Sequence, residues 1–205
     1  MLFGSSTIID DVDAMRRSGL ASLVVYYYDY REHEKTDLRG LLSSMLVQLC
    51  DQSDSYCGVL STFYSTHHDR AQLPSDDELV GCLKNLLGLP GQAPVYLIVD
   101  ALDECSNATS LPSDREKVLM FLADLVDSHL PNLRMCVTSR PEANIKRVLE
   151  LLSSRSVSLA DGRGQIEDIN NYIKSFVNSN GKMQRWKPED KQLVIDVLIE
   201  RADGM

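Results

Sequence analysis

The sequence lacks most of what marks a secreted, membrane-bound or nucleic-acid-binding protein. Its longest apolar run near the start, Leu23 to Tyr28, falls far short of the ~20 residues that cross a bilayer. The first residues do not follow the basic-then-apolar order of a secretory signal, so a cytoplasmic location is the expectation. Basic residues are the minority, 21 Lys and Arg against 30 Asp and Glu, for a net charge of -9. Without a basic stripe there is nothing to meet a phosphate backbone, which argues against nucleic acid. No basic amphipathic helix suggests a membrane surface. The five cysteines, Cys50, Cys57, Cys82, Cys105 and Cys136, form no C-x-x-C pair and are odd in number. They read as free thiols in a reducing compartment rather than as a disulfide framework or a zinc site. His67 and His68 are adjacent, so on a helix they point to different faces. No internal repeat and no low-complexity tract appears. No G-x-x-x-x-G-K-[ST] phosphate loop occurs either.

What remains is an ordinary globular composition. Of 205 residues, 43% are hydrophobic and 25% charged, enough apolar material to exclude disorder over most of the length and to build one α/β domain with at most a small appendage.

Strand and helix patterns alternate. Leu23 to Tyr28 is β-branched and aromatic, and predicts a buried strand. Leu38, Leu41, Leu42, Met45, Leu46 and Leu49 hold helical spacing over three turns, with Thr36 or Asp37 available as a cap. A helix is expected over 56–66. Another starts at Ser75-Asp-Asp-Glu78, a capping box, and stops at Gly88. Val95-Tyr-Leu-Ile-Val99 is apolar at consecutive positions, the mark of an interior parallel strand. Ser113-Asp-Arg-Glu116 caps the next helix, whose inner side carries Val118, Leu119, Phe121, Leu122, Leu125 and Val126. Leu133 to Val137 predicts a further strand, and Ile145, Val148, Leu149 and Leu152 a helix. A short strand is expected over Ser156–Leu159, before Asp161-Gly-Arg-Gly164. Two helices close the chain, the second opened by Pro188-Glu-Asp190. Asn178-Ser-Asn-Gly181 is the best linker candidate.

Alternation of this kind predicts a three-layer α/β sandwich with a mainly parallel sheet and helices on both faces. Ligands of such sheets sit beyond the carboxyl ends of the strands. Two ends are chemically equipped: Asp100, Asp103 and Glu104 follow Val99, and Thr138, Ser139 and Arg140 follow Val137. If the strands are parallel neighbours, three carboxylates and a guanidinium converge. Acids there suit a hydrated Mg²⁺, which takes one or two carboxylates plus waters and phosphate oxygens. Arg140 can neutralise charge on a transferred phosphate. An aspartyl-phosphate phosphatase is a poorer match, because it wants D-x-D and position 102 is leucine.

The run Val95–Cys105, VYLIVDALDEC, resembles the Walker B segment of NACHT-type P-loop NTPases, within the fungal nephrocystin-like branch of the signal-transducing STAND class. LRMCVTSRPE, 133–142, resembles that family's sensor strand, Leu23 to Arg31 the strand after its first helix, and Arg201-Ala-Asp-Gly-Met205 the entry to the region beyond the nucleotide-binding core. The resemblance implies a P-loop NTPase-like fold over 1–160, with 161–205 starting the helical region that follows. It implies Mg²⁺ with ATP or GTP as cofactors, Asp100 as the metal ligand, Asp103 and Glu104 as the residues that position or activate water, and Arg140 with Thr138 and Ser139 at the phosphate. A second copy or a repeat-domain neighbour is the implied partner.

The departure lies at the front. The family's loop ends Gly-Lys-Ser/Thr ahead of a helix similar to Ser5-Ser-Thr-Ile-Ile9, and here those positions fall at about Met1 and Leu2. Each charge-assisted hydrogen bond of such a loop contributes roughly 1.5–3 kcal/mol, so lacking several weakens binding by about three orders of magnitude or more. The first strand, which lies between the sensor strand and the last strand in this fold class, is missing with it. Leu133–Val137 is then left with an open edge, unless Ser156–Leu159 moves in to pair with it. The chain is thus expected to be an inactive core fragment of a signalling NTPase or, alternatively, a non-catalytic interaction and assembly module.

Overall fold

The structure is a computed structural model, and it describes residues 2–29, 37–68, 73–107, 112–158 and 163–201. The described residues fall into two compact units, Met1–Leu152 and Ser153–Met205. The expected boundary at 160/161 lies outside the described residues, as do Tyr30, Arg31, Thr36 and the 202–205 motif.

In the first unit the order is α1 (Leu2–Arg17), β1 (Ser22–Tyr27), α2 (Leu38–Cys50), α3 (Asp54–His68), α4 (Asp76–Leu87), β2 (Val95–Asp100), a 3-10 turn (Leu102–Glu104), α5 (Asp114–Asp127), β3 (Leu133–Val137) and α6 (Ala143–Leu152). The expected caps form. Asp37 accepts from the Gly40 N–H at 2.8 Å, and Ser75 and Ser113 each close a capping box with the glutamate three residues on. Each box satisfies helix-end N–H groups that would otherwise have no partner.

The sheet is parallel, in the order β1-β2-β3. Register pairs Tyr27 with Asp100 and Val99 with Val137, so all three carboxyl ends lie on one edge. Side chains alternate between the faces. Val24, Tyr26, Val95, Leu97 and Val99 pack with α2, α4, α5 and Ile145 of α6 in the larger core. Leu23, Val25, Tyr96, Ile98 and Cys136 pack with Ile9, Val12 and Met15 of α1 in a smaller one. Helices therefore cover both faces, and β2, nearly buried throughout, is the interior strand its run of apolar residues predicted.

The sheet is smaller than expected. Residues 156–158 form no strand, and Leu159 lies outside the described residues. The reason is local: Val157 stands among serines and Arg155 and is 81% exposed, so the segment has no apolar face to bury. Among the described residues β3 is accordingly bonded to β2 alone, which leaves there the open edge anticipated for it. The opposite edge is closed. Gln52, in the turn after α2, accepts from the Leu23 N–H at 2.9 Å and donates to its carbonyl at 2.8 Å. Gln48 does the same for Val25, at 3.0 and 2.9 Å.

The second unit holds α7 (Arg163–Ser179) and α8 (Pro188–Arg201), which pack on each other around the buried Val177 and Ile195. The supposed linker at 178–181 is the end of α7 and the turn after it, where Asn180 Oδ1 accepts from the Lys182 N–H at 3.0 Å. No helix of the described residues is long and apolar enough to cross a membrane.

Candidate functional site

The site is built where β2 and β3 end side by side. β2 stops at Asp100, and Ala101 turns the chain in a left-handed conformation (φ 55°, ψ 46°) that costs an L-residue roughly 1–2 kcal/mol. Thr138 holds that turn. Its hydroxyl accepts from the Ala101 N–H at 3.1 Å, and its carbonyl accepts from the Leu102 N–H at 3.0 Å. The turn drives Leu102 into the core, fully buried, and leaves Asp103 and Glu104 in the 3-10 turn at the strand edge.

Each acid has a distinct setting. Asp100 is buried, and the Thr138 hydroxyl donates to its Oδ1. It raises the affinity of two neighbouring groups for their protons. The Tyr27 hydroxyl is pushed up first by burial, then by Asp100 and Asp10, and the Cys136 thiol by burial and then by Asp100. Asp103 is also withdrawn from water, its side chain 6% exposed. Its Oδ1 accepts from the Arg140 N–H at 2.9 Å, and its Oδ2 lies 3.4 Å from Arg140 Nε. Glu104 is half-buried, and its N–H donates to the Ala101 carbonyl at 2.8 Å. The Ser139 hydroxyl donates to the Arg140 carbonyl at 2.8 Å. All six residues singled out in the sequence thus meet on one edge.

The residue that sequence reasoning missed is Arg115. Its side chain is 6% exposed. Nε and Nη2 donate to the Cys105 carbonyl at 3.2 and 3.0 Å, Nη2 also to the Asp103 carbonyl at 2.5 Å, and Nη1 pairs with Glu142. One buried cation therefore fastens the segment after β2 to the segment after β3. A signal was present. Arg115 occupies the first turn of α5, where the helix dipole disfavours a cation, and such a residue needs partners from elsewhere in the fold.

Behind the edge, burial pushes the Cys105 thiol up to about 12, far from the reactive range. The Tyr26 and Tyr28 rings beside it meet edge-on, centroids 4.9 Å apart. A cleft of about 660 Å³ between α3 and α4 is lined by Phe63, Gly81 and Cys82 among others and includes no strand-end residue. Volume alone does not make it the site: its one acid, Glu78, is taken up by the Ser75 capping box and by His67.

α1 reaches the same edge. It connects to β1 through the short turn at 18–21 and runs back along the strand, with Asp10 close enough to Tyr27 to perturb it. The eight residue steps from Asp10 back to Leu2 carry the helix about 12 Å further at its usual rise.

Among known families, the one described as nephrocystin 3, N-terminal, matches residues 3–140, from α1 through the Asp103–Arg140 contact. No curated protein and no solved structure matches the chain. The match covers more than half of the sequence, and the chain belongs to the nephrocystin 3 N-terminal family.

Proposed function

We propose that the first unit is the nucleotide-handling core of a signal-transducing NTPase of the NACHT and STAND kind, with no phosphate-loop motif within residues 1–205. One observation carries the reading: an acid-ended interior strand and a T-S-R-ended strand are parallel neighbours, with Asp103 and Arg140 in contact. The open edge of β3 is where this reading seats the strand that leads into a phosphate loop. The N-terminal end of α1, positive through the helix dipole, then lies on the side from which the phosphates approach.

Asp100 and the Thr138 hydroxyl fit a hydrated Mg²⁺ that brings most of its own ligands. That mode needs only one or two carboxylates, and among the described residues no three acids, histidines or cysteines group to hold a metal by themselves. Magnesium, when bound, would neutralise charge on the phosphate oxygens. Asp103 and Glu104 would orient water, and Arg140 with Ser139 would meet the terminal phosphate. In a full-length form, nucleotide state would be passed to a repeat-bearing neighbour or a second copy.

The alternative is a non-catalytic assembly module. Its support is that the two buried acids already have partners, Asp100 in Thr138 and Asp103 in Arg140.

Titration with Mg-ATP and Mg-GTP separates the two. For residues 1–205, which hold no loop donors, the core reading expects magnesium-dependent binding in about the millimolar range, and its loss in Asp100→Asn. No magnesium-dependent binding up to about tens of millimolar nucleotide would leave the assembly module standing. Unchanged binding in Asp100→Asn would remove that residue from the site.

A further inference from the structure

We infer that Arg140 is the resident counter-ion of Asp103 and forms an interlock, keeping that acid occupied until a phosphate draws the guanidinium away. This rests on the nucleotide-core reading and adds its regulation.

The two arginines of the site differ in a way that assigns the roles. Arg115 is buried, and its three nitrogens all have acceptors, so it cannot leave without stranding several polar groups. Arg140 has a side chain 70% exposed and touches Asp103 through Nε at 3.4 Å. Exposed contacts of that kind contribute little and break readily. Of the five N–H donors of a guanidinium, four sit on Nη1 and Nη2, and the closest approach of Arg140 to Asp103 is through Nε instead. The side chain is 70% exposed, so a phosphate can reach the fork from solvent.

Asp103 is the opposite case. Its carboxylate is withdrawn from water, and both of its oxygens address Arg140, one through the backbone N–H. When the guanidinium swings to a phosphate, Asp103 keeps that backbone bond and loses its only ion-pair partner among the described residues. A buried carboxylate in that condition attracts a cation or takes a hydrogen bond from water. The acid is thus released only when phosphate is present.

The test uses the whole chain and Mn²⁺ without nucleotide, read by water-proton relaxation. Arg140→Ala removes the competing cation and is expected to bind Mn²⁺ about two- to fivefold more tightly than wild type, the range of an exposed ion pair. Arg140→Lys restores a charge at the position and should return the affinity most of the way. In the absence of any ligand, Asp103→Asn should speed amide exchange at Arg140. Equal or weaker Mn²⁺ binding by Arg140→Ala overturns the interlock and leaves the core reading intact, as does unchanged Arg140 exchange in Asp103→Asn. Absence of Mn²⁺ binding in every form overturns the interlock together with the core reading.

Discussion

Along the free side of β1, the carboxamides of Gln48 and Gln52 stand where a neighbouring strand would be, each giving one donor and one acceptor to one residue of the strand. Along the free side of β3 there is no equivalent. The Val95 N–H donates to the Asn132 carbonyl, and the Thr138 N–H to the Val99 carbonyl. The even-numbered residues of β3 are thus turned toward β2, and Leu133, Met135 and Val137 outward. No strand or side chain among the described residues takes up the outward groups of Met135 and Val137. Unpaired edges invite association, and natural proteins normally blunt them with charge, proline or cover. Here one edge is closed by the chain's own side chains, and the other is open among the described residues. An edge finished within the chain needs no further strand. An unfinished one marks where the nucleotide-core reading needs one.

The strongest way to break the comparison is to open the closed edge. Gln48→Leu with Gln52→Leu leaves two N–H and two carbonyl groups of β1 without partners in a partly buried setting. Each such group costs about 1–3 kcal/mol. Solvent reaches part of this edge, so the double variant is expected to lose roughly 3–5 kcal/mol of unfolding free energy, measured by urea denaturation, and to aggregate more readily. A loss under about 1 kcal/mol, within the usual range of surface changes, would mean that the glutamines decorate the edge rather than complete it.

A measurement on the unaltered chain sharpens the same contrast. Amide exchange at Met135 and Val137 is expected to be at least about tenfold faster than at Leu23 and Val25, because local opening is easiest where backbone groups already face water. Equal protection at all four positions would show that something covers β3, and the reading of it as an open edge would go.

The apolar half of this fold was legible in advance. All six helical positions named for α2, Leu38, Leu41, Leu42, Met45, Leu46 and Leu49, are buried, and both predicted capping boxes form. Period and cap chemistry are local properties, readable within a few residues. The strand ends were legible too, because a parallel sheet places its polar termini on one edge. The polar side chains with distant partners were not. Gln48 near the end of α2 and Gln52 in the turn after it look like solvated polar residues, and their partners lie 23 and 29 residues away. Arg115 is hidden the same way, since Glu142 is 27 residues on. The strand expected at Ser156–Leu159 failed over its described residues, 156–158, for the opposite reason: a plausible strand composition had no face to bury.

The smallest effect tests a partial cap at the start of β3. Arg134 Nη1 donates to the Leu133 carbonyl at 2.9 Å and to the Pro131 carbonyl at 2.8 Å, so the first outward carbonyl of the strand is covered by its own neighbour. Arg134 is exposed, and water can replace its donors. Arg134→Gln should therefore cost no more than about 0.5–1 kcal/mol in urea unfolding, with exchange at Met135 and Val137 unchanged. If that single substitution destabilised the chain as much as the double glutamine change, the two edges would be equally finished, and the contrast between them would be one of chemistry rather than of completeness.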